Sequence, residues 1–181
     1  MSPTSRILVW PLLLLAPCLL AAPGQAVEPY TWTVSGLGGL GGSPDVDPGD
    51  GFGNRALQAG LALVREPGVH LGLRLGRMTP DEAFGSLVDA RLEYATLAGE
   101  YRADEGFYES GLFLGLGAYR LQGTRAGRDG EETALGATLG VNGEFALTSR
   151  LSFVVELAGH WVDFEEAQLF GAGLAGLAFH F

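Results

Sequence analysis

Ala134-Leu135-Gly136-Ala137-Thr138-Leu139-Gly140-Val141-Asn142-Gly143-Glu144-Phe145-Ala146-Leu147 repeats with a period of two. Leu135, Ala137, Leu139, Val141, Phe145 and Leu147 share one parity; Gly136, Thr138, Gly140, Asn142, Glu144 and Ala146 share the other. Successive side chains of a strand point to opposite faces, so the run predicts a strand with one apolar face and one small or polar face.

The same reading extends in both directions. Val69, Leu71, Leu73 and Leu75 alternate with His70, Gly72, Arg74 and Gly76. Leu151, Phe153, Val155, Leu157 and Trp161 oppose Ser152, Glu156 and His160, and Leu169, Ala175, Leu177, Phe179 and Phe181 oppose Ala172, Gly176 and His180. Less regular segments run from Tyr30 to Leu40, Ala56 to Arg65, Val88 to Arg102 and Glu109 to Leu121. Each has about the length that a tilted membrane strand needs. The total is eight strands. The fourth changes phase, with Leu92 and Tyr94 on one parity and Leu97 and Tyr101 on the other. Either a bulge near Ala95 restores the phase, or Arg91 and Glu93 lie above the membrane edge.

Connections alternate in length. Gly41 to Asn54, Arg77 to Ser86, Gln122 to Glu132 and Asp163 to Gln168 read as the longer loops; Glu66 to Gly68, Ala103 to Tyr108 and Thr148 to Arg150 read as short turns. Long extracellular loops and short periplasmic turns are the habit of transmembrane barrels, and this order leaves both chain ends in the periplasm.

The chain of 181 residues is 47% hydrophobic with 29 glycines, so a helical bundle is disfavoured. Beyond the N-terminus no run approaches the roughly 20 apolar residues of a spanning helix. Acidic residues number 21 against 11 basic ones, for a net charge of −10, which argues against a nucleic-acid partner. Arg6, the apolar stretch Ile7 to Ala22 and Gly24-Gln25-Ala26 read as a secretory leader cleaved after Ala26, leaving one domain over residues 27–181. A membrane anchor is the bland alternative, and Pro17 before Cys18 departs from a lipoprotein signal. The single cysteine, Cys18, falls inside the leader, so no disulfide or cysteine metal site is expected in the mature chain.

Which face is apolar separates a soluble barrel from a membrane one. The second parity, rich in glycine, alanine and a few charges, is poor material for a solvated exterior and good filling for a narrow lumen. The apolar parity ends in Trp32, Tyr101, Phe145, Phe153, Phe179 and Phe181 near the expected periplasmic rim, with Trp161 near the other, as aromatic girdles would. The predicted fold is all-β: an eight-stranded antiparallel up-and-down transmembrane barrel.

The final segment, Leu177-Ala178-Phe179-His180-Phe181, is similar to the C-terminal signature of outer-membrane barrel proteins. The mature chain resembles the small OmpA/OmpX-type barrels throughout. The resemblance implies an outer-membrane location, contact with outer-membrane lipid and lipopolysaccharide, and reading of Phe181 by the barrel assembly machinery. A monomer is expected.

Some barrels of this size modify lipid A, which makes Ser152, Glu156 and His160 candidates for chemistry. They share the inward parity of one strand, but neighbours in this set stand about 13 Å apart at roughly 3.3 Å per residue. They cannot form a triad, and no catalytic residue or cofactor is expected. Asp45, Asp47, Asp50, Gly51 and Asn54 carry oxygen ligands without the closing glutamate of a calcium loop, so no metal site is assigned. Asp81, Glu82, Asp129, Glu131, Glu132, Asp163, Glu165 and Glu166 make the loops acidic. His70, Arg74, Glu100, Arg102, Glu144, Glu156 and His160 are the expected lumen network, with Arg74 and Glu156 central. Charges in a narrow tube must pair or hold water. These readings favour a plugged structural or surface-interaction barrel; the alternative is a narrow channel for small solutes, and less favoured are a lipid A-modifying enzyme and a soluble lipocalin-like barrel.

Overall fold

A computed structural model describes residues 31–44, 52–79, 87–165 and 168–181. The expected leader, Tyr30, and Asp45, Asp47, Asp50, Gly51, Asp81, Glu82 and Glu166 lie outside them. The described strands are β1 (Trp32–Gly42), β2 (Phe52–Glu66), β3 (Val69–Thr79), β4 (Val88–Asp104), β5 (Tyr108–Arg125), β6 (Arg128–Ala146), β7 (Leu151–Val162) and β8 (Leu169–His180). They close into a barrel in chain order, every neighbouring pair antiparallel.

Closure leaves no sheet edge along the shared length of the strands. The seam joins β1 to β8 in a register that sets Val34 against Phe179 and Leu40 against Gly173. Trp32 N donates to Phe181 O at 2.9 Å and Phe181 N donates to Trp32 O at 3.0 Å, so the last residue of the chain completes the ladder.

Alternation decides what each face carries. Leu71, Leu73, Leu75, Leu97, Leu114, Leu116, Leu135, Leu139 and Leu157 are all exposed on the outside. Apolar side chains rarely cover a protein that meets water over so continuous a surface. Inside, room is made locally: a Cβ on Gly76 would overlap the Tyr94 ring and one on Gly140 the Phe113 ring.

One open alternative is decided and one expectation is corrected. The fourth strand has no bulge at Ala95: its pairing to β3 and β5 runs without a shift from Leu92 to Tyr101, and the irregularity falls between Val88 and Arg91. Leu92 and Tyr94 therefore point inward, while Arg91 and Glu93 point out beyond the apolar band and lie 3.9 Å apart. The stretch Gln122 to Glu132, expected as a loop, is strand on both sides of a two-residue turn. Ala126 and Gly127 both have positive φ (49° and 77°), the geometry of the tight turn whose twist matches a hairpin.

Candidate functional site: the occluded lumen

The inward parity builds two layers. In the half nearer the chain ends the layer is polar, and six of the seven expected lumen residues face it: His70, Arg74, Glu100, Glu144 and Glu156 are buried and Arg102 is half-buried, while His160, buried on the same inward parity, lies towards the loops opposite Phe170. Arg74 from β3 donates to Glu100 of β4 at 2.9 Å and to Glu156 of β7 at 3.3 Å, and its guanidinium lies 3.7 Å from the centroid of the Phe113 ring. Arg102 binds Glu100 at 2.5 Å, Glu109 at 3.4 Å and also Glu144. Two arginines thus sit among four carboxylates. Such charges tolerate burial only because each has several partners.

Neutral groups complete the network. Gln58 donates to Glu156 at 2.9 Å and accepts from Tyr94 Oη at 2.9 Å, and Asn142 donates to Glu100 at 2.9 Å. Towards the chain ends, His180 Nε2 lies 2.6 Å from Glu144 and 2.9 Å from Ser152, while its Nδ1 lies 3.0 Å from Thr33 Oγ1. On the other side, His160 Nδ1 meets Tyr119 Oη at 3.0 Å. Only about 40 Å³ of space remains beside Arg74, Glu100, Arg102, Asn142 and Glu156. That holds a few waters and no solute.

Gln58, Tyr94, Asn142, Tyr119, Thr33 and Glu109 are members of the network that sequence reasoning missed. Their inward parity was the available signal for Gln58 and Asn142; nothing local marks a tyrosine as lumenal rather than lipid-facing.

The second layer, in the half nearer the long loops, is apolar. Met78, Leu92, Leu121, Val162, Phe164 and Phe170 fill it, with Phe164 and Phe170 edge to face at 6.1 Å between centroids. Parity gives no warning of this layer, because leucine serves equally on the lipid face.

Ser152, Glu156 and His160 do not converge. Ser152 contacts His180, Glu156 contacts Gln58 and Arg74, and His160 contacts Tyr119. Ser152 and Glu144 both address Nε2 of His180, whereas an acyl-transfer relay needs serine and acid on opposite ring nitrogens. Among the described residues no group of three or more His, Cys, Asp or Glu side chains is placed to hold a metal. Asn54 is buried on the inward parity.

Of the aromatic set, Trp32, Tyr101, Phe153, Phe179 and Phe181 are exposed on the outside at the end that holds the short turns, and Phe145 is half-buried there, its ring 5.7 Å from Tyr108 and 6.5 Å from Phe153. Trp161 is exposed at the opposite end. The β5–β6 hairpin stands beyond β7, since Gly136 is the last β6 residue that β7 pairs. There Arg120 donates to Glu131 at 2.7 Å and holds that carboxyl below its usual range.

The eight-stranded barrel fold recurs in solved structures. Neisserial surface protein A is matched at a TM-score of 0.66 and 15% identity, over 84% of this chain and 97% of that one. The N-terminal β-barrel domain of Pseudomonas aeruginosa OprF is matched at 0.62 and 14%, over 84% and 98%. A major outer membrane protein from Thermus thermophilus is matched at 0.61 and 14%, over 85% and 100%. The chain has the fold of the small outer-membrane β-barrels. Its apolar exterior is that of a barrel embedded in a membrane. No family model and no curated protein matches the sequence.

Proposed function

We propose that the protein is a monomeric, non-enzymatic outer-membrane barrel whose lumen is plugged and whose work is done at its extracellular surface. The observation that carries this reading is the double closure of the lumen, by the Arg74–Glu100–Glu156 and Arg102–Glu144 network and by the apolar layer of Met78, Leu92, Leu121, Val162, Phe164 and Phe170. A solute would have to separate buried ion pairs and then cross a dry constriction. The plug also ties β3, β4, β6 and β7 together from within.

With transport disfavoured, the parts left to meet other molecules are the loops and the projecting hairpin. Asp129, Glu131, Asp163 and Glu165 are exposed there and Glu132 is half-buried. Such a surface attracts cationic partners and divalent ions diffusely. Delivery runs through the leader and the assembly machinery, with Phe181 as the terminal signal.

The test compares cells with and without the protein for outer-membrane permeability to a small β-lactam and for attachment to cationic surfaces. The reading expects unchanged permeability and an attachment that falls when the exposed acids of the hairpin are neutralised. Faster uptake with the protein present, and attachment indifferent to those acids, would favour the channel.

A further inference from the structure

The basic residues of this chain are all arginines, and, Arg6 of the expected leader apart, their placement is uneven. Arg74 and Arg102 lie in the lumen; Arg65 and Arg150 lie at the end of the short turns; Arg125 and Arg128 flank the hairpin tip. Arg55, Arg77, Arg91 and Arg120 remain. They sit on the outward parity of β2, β3, β4 and β5, where the apolar band ends towards the long loops.

Register fixes their level. Arg55 follows outward from Leu57 on β2 and Arg77 from Leu75 on β3, and both leucines are exposed. Arg55 pairs with Thr79 and Leu57 pairs with Arg77, so the two arginines are diagonal neighbours on one face. Along β2, Arg55 and Arg65 bracket the outward apolar residues Leu57 and Leu61. Their spacing is about 33 Å along the strand, or about 25 Å along the membrane normal at a tilt of about 40°, which is the height of the apolar band of such barrels. Arg55 and Arg77 therefore meet the membrane where headgroup phosphates lie.

Their partners set the pair apart. Arg91 lies 3.9 Å from Glu93 and Arg120 lies 2.7 Å from Glu131. Among the described residues neither Arg55 nor Arg77 has a carboxylate partner; Arg77 Nε donates to Thr79 Oγ1 at 3.2 Å. Two exposed guanidiniums side by side repel each other, in a chain whose acids outnumber its cations and could have neutralised them. Thr133 of β6 pairs with Arg120 and Leu40 of β1 with Arg55, and Trp161 of β7 pairs with Leu169 of β8 near the loop ends of those strands; none of the four is cationic.

We propose that Arg55, Arg77 and Thr79 form a binding site for a phosphate group of an anionic outer-leaflet lipid, the phosphorylated lipid A of lipopolysaccharide, whose acyl chains lie on Leu57 and Leu75. The chemistry is that of planar guanidiniums that clasp phosphate oxygens bidentately, with a hydroxyl as a further donor. The site gives one flank of the barrel, β2 to β3, a fixed lipid neighbour. The proposal rests on the outer-membrane placement argued above.

The mature chain is reconstituted in phosphatidylcholine nanodiscs and challenged with hexaacyl lipid A, with the same lipid stripped of phosphate, and with inorganic phosphate as competitor. Retained lipid is read by native mass spectrometry, and barrel formation is read separately by heat-dependent gel migration, where a failure of the membrane placement itself would appear. Phosphorylated lipid A is expected to be retained about tenfold better than the stripped lipid, and R55Q/R77Q to lose that preference. R125Q/R128Q, with the same change of charge at the hairpin tip, is expected to keep it, and inorganic phosphate is expected not to displace the lipid. Should R55Q/R77Q fail to fold, single Arg77→Gln and the charge-preserving R55K/R77K pair replace it, the first losing and the second keeping most of the preference. Equal retention of the two lipids, undiminished retention by the folded glutamine variants, or displacement by inorganic phosphate would overturn the proposal.

Discussion

Arg74 and Glu156 meet at 3.3 Å from β3 and β7, strands that face each other across the ring. The contact links opposite walls, and the two ends are supported unequally. Arg74 keeps Glu100 at 2.9 Å and the Phe113 ring if Glu156 is removed; Glu156 keeps only Gln58 among the described residues if Arg74 is removed.

The single changes should therefore differ. Arg74→Ala leaves the buried Glu156 without a cation and Glu100 with Arg102 as its one cation, and should cost about 3 to 5 kcal/mol, whereas Glu156→Ala should cost about 1 to 3 kcal/mol. The double change should cost less than the sum by about 1 to 2 kcal/mol, because the second removal relieves the charge stranded by the first. Reversible urea unfolding of the refolded barrel in lipid vesicles measures all three; additive costs would mean that the pair does not interact.

Leu73 and Leu139 are exposed on the outside at mid-strand. Arginine at either position should destabilise the barrel by about 2 to 4 kcal/mol in the same unfolding assay, the cost of a cation near the bilayer midplane. Spin labels at these sites should be quenched by apolar oxygen and not by a water-soluble nickel complex; the reverse pattern would place them in water.

Phe181 exchanges backbone hydrogen bonds with Trp32 at the seam. Deleting it removes both bonds and the terminal aromatic together. Folded barrel in the outer membrane should fall several-fold, with unfolded chain accumulating in the periplasm, as read by heat-dependent migration of fractionated cells. Phe181→Tyr keeps the backbone pair and an aromatic ring and should assemble nearly normally, which separates a lost residue from a lost ring.

Ala126 holds φ at 49° at the tip of the β5–β6 hairpin. Asparagine tolerates this region better than alanine, and Asn-Gly suits the turn, so Ala126→Asn should stabilise the hairpin by about 0.5 to 1 kcal/mol. Slower amide exchange at Thr124 and Asp129 would show it.

The architecture was legible because membrane strands separate their faces by parity. Leu135 to Leu147 and Leu151 to Trp161 show both faces without any knowledge of neighbours. Leu92 and Tyr94 left two readings open because the rule holds only inside the bilayer: above it the outer face turns polar, as at Arg91 and Glu93, and the inner face turns apolar. The extension of β5 and β6 through Gln122 to Glu132 was hidden for the same reason, since polar strand and polar loop have the same composition. Lumen charges were readable one by one as inward positions. Which of them meet depends on register, so the link between Glu144 and His180, or between Tyr94 and Gln58, could not be read from spacing.

The plugged lumen is tested most directly by conductance of the purified, refolded protein in planar bilayers. Wild-type protein is expected to show no steady open level, and R74A/E156A is expected to stay closed as well, because Met78, Leu92, Phe164 and Phe170 still seal the half nearer the loops. Adding Phe170→Ala to that pair, which thins both layers, is expected to produce measurable openings. A steady open level in the wild-type protein would contradict the account and make the barrel a channel.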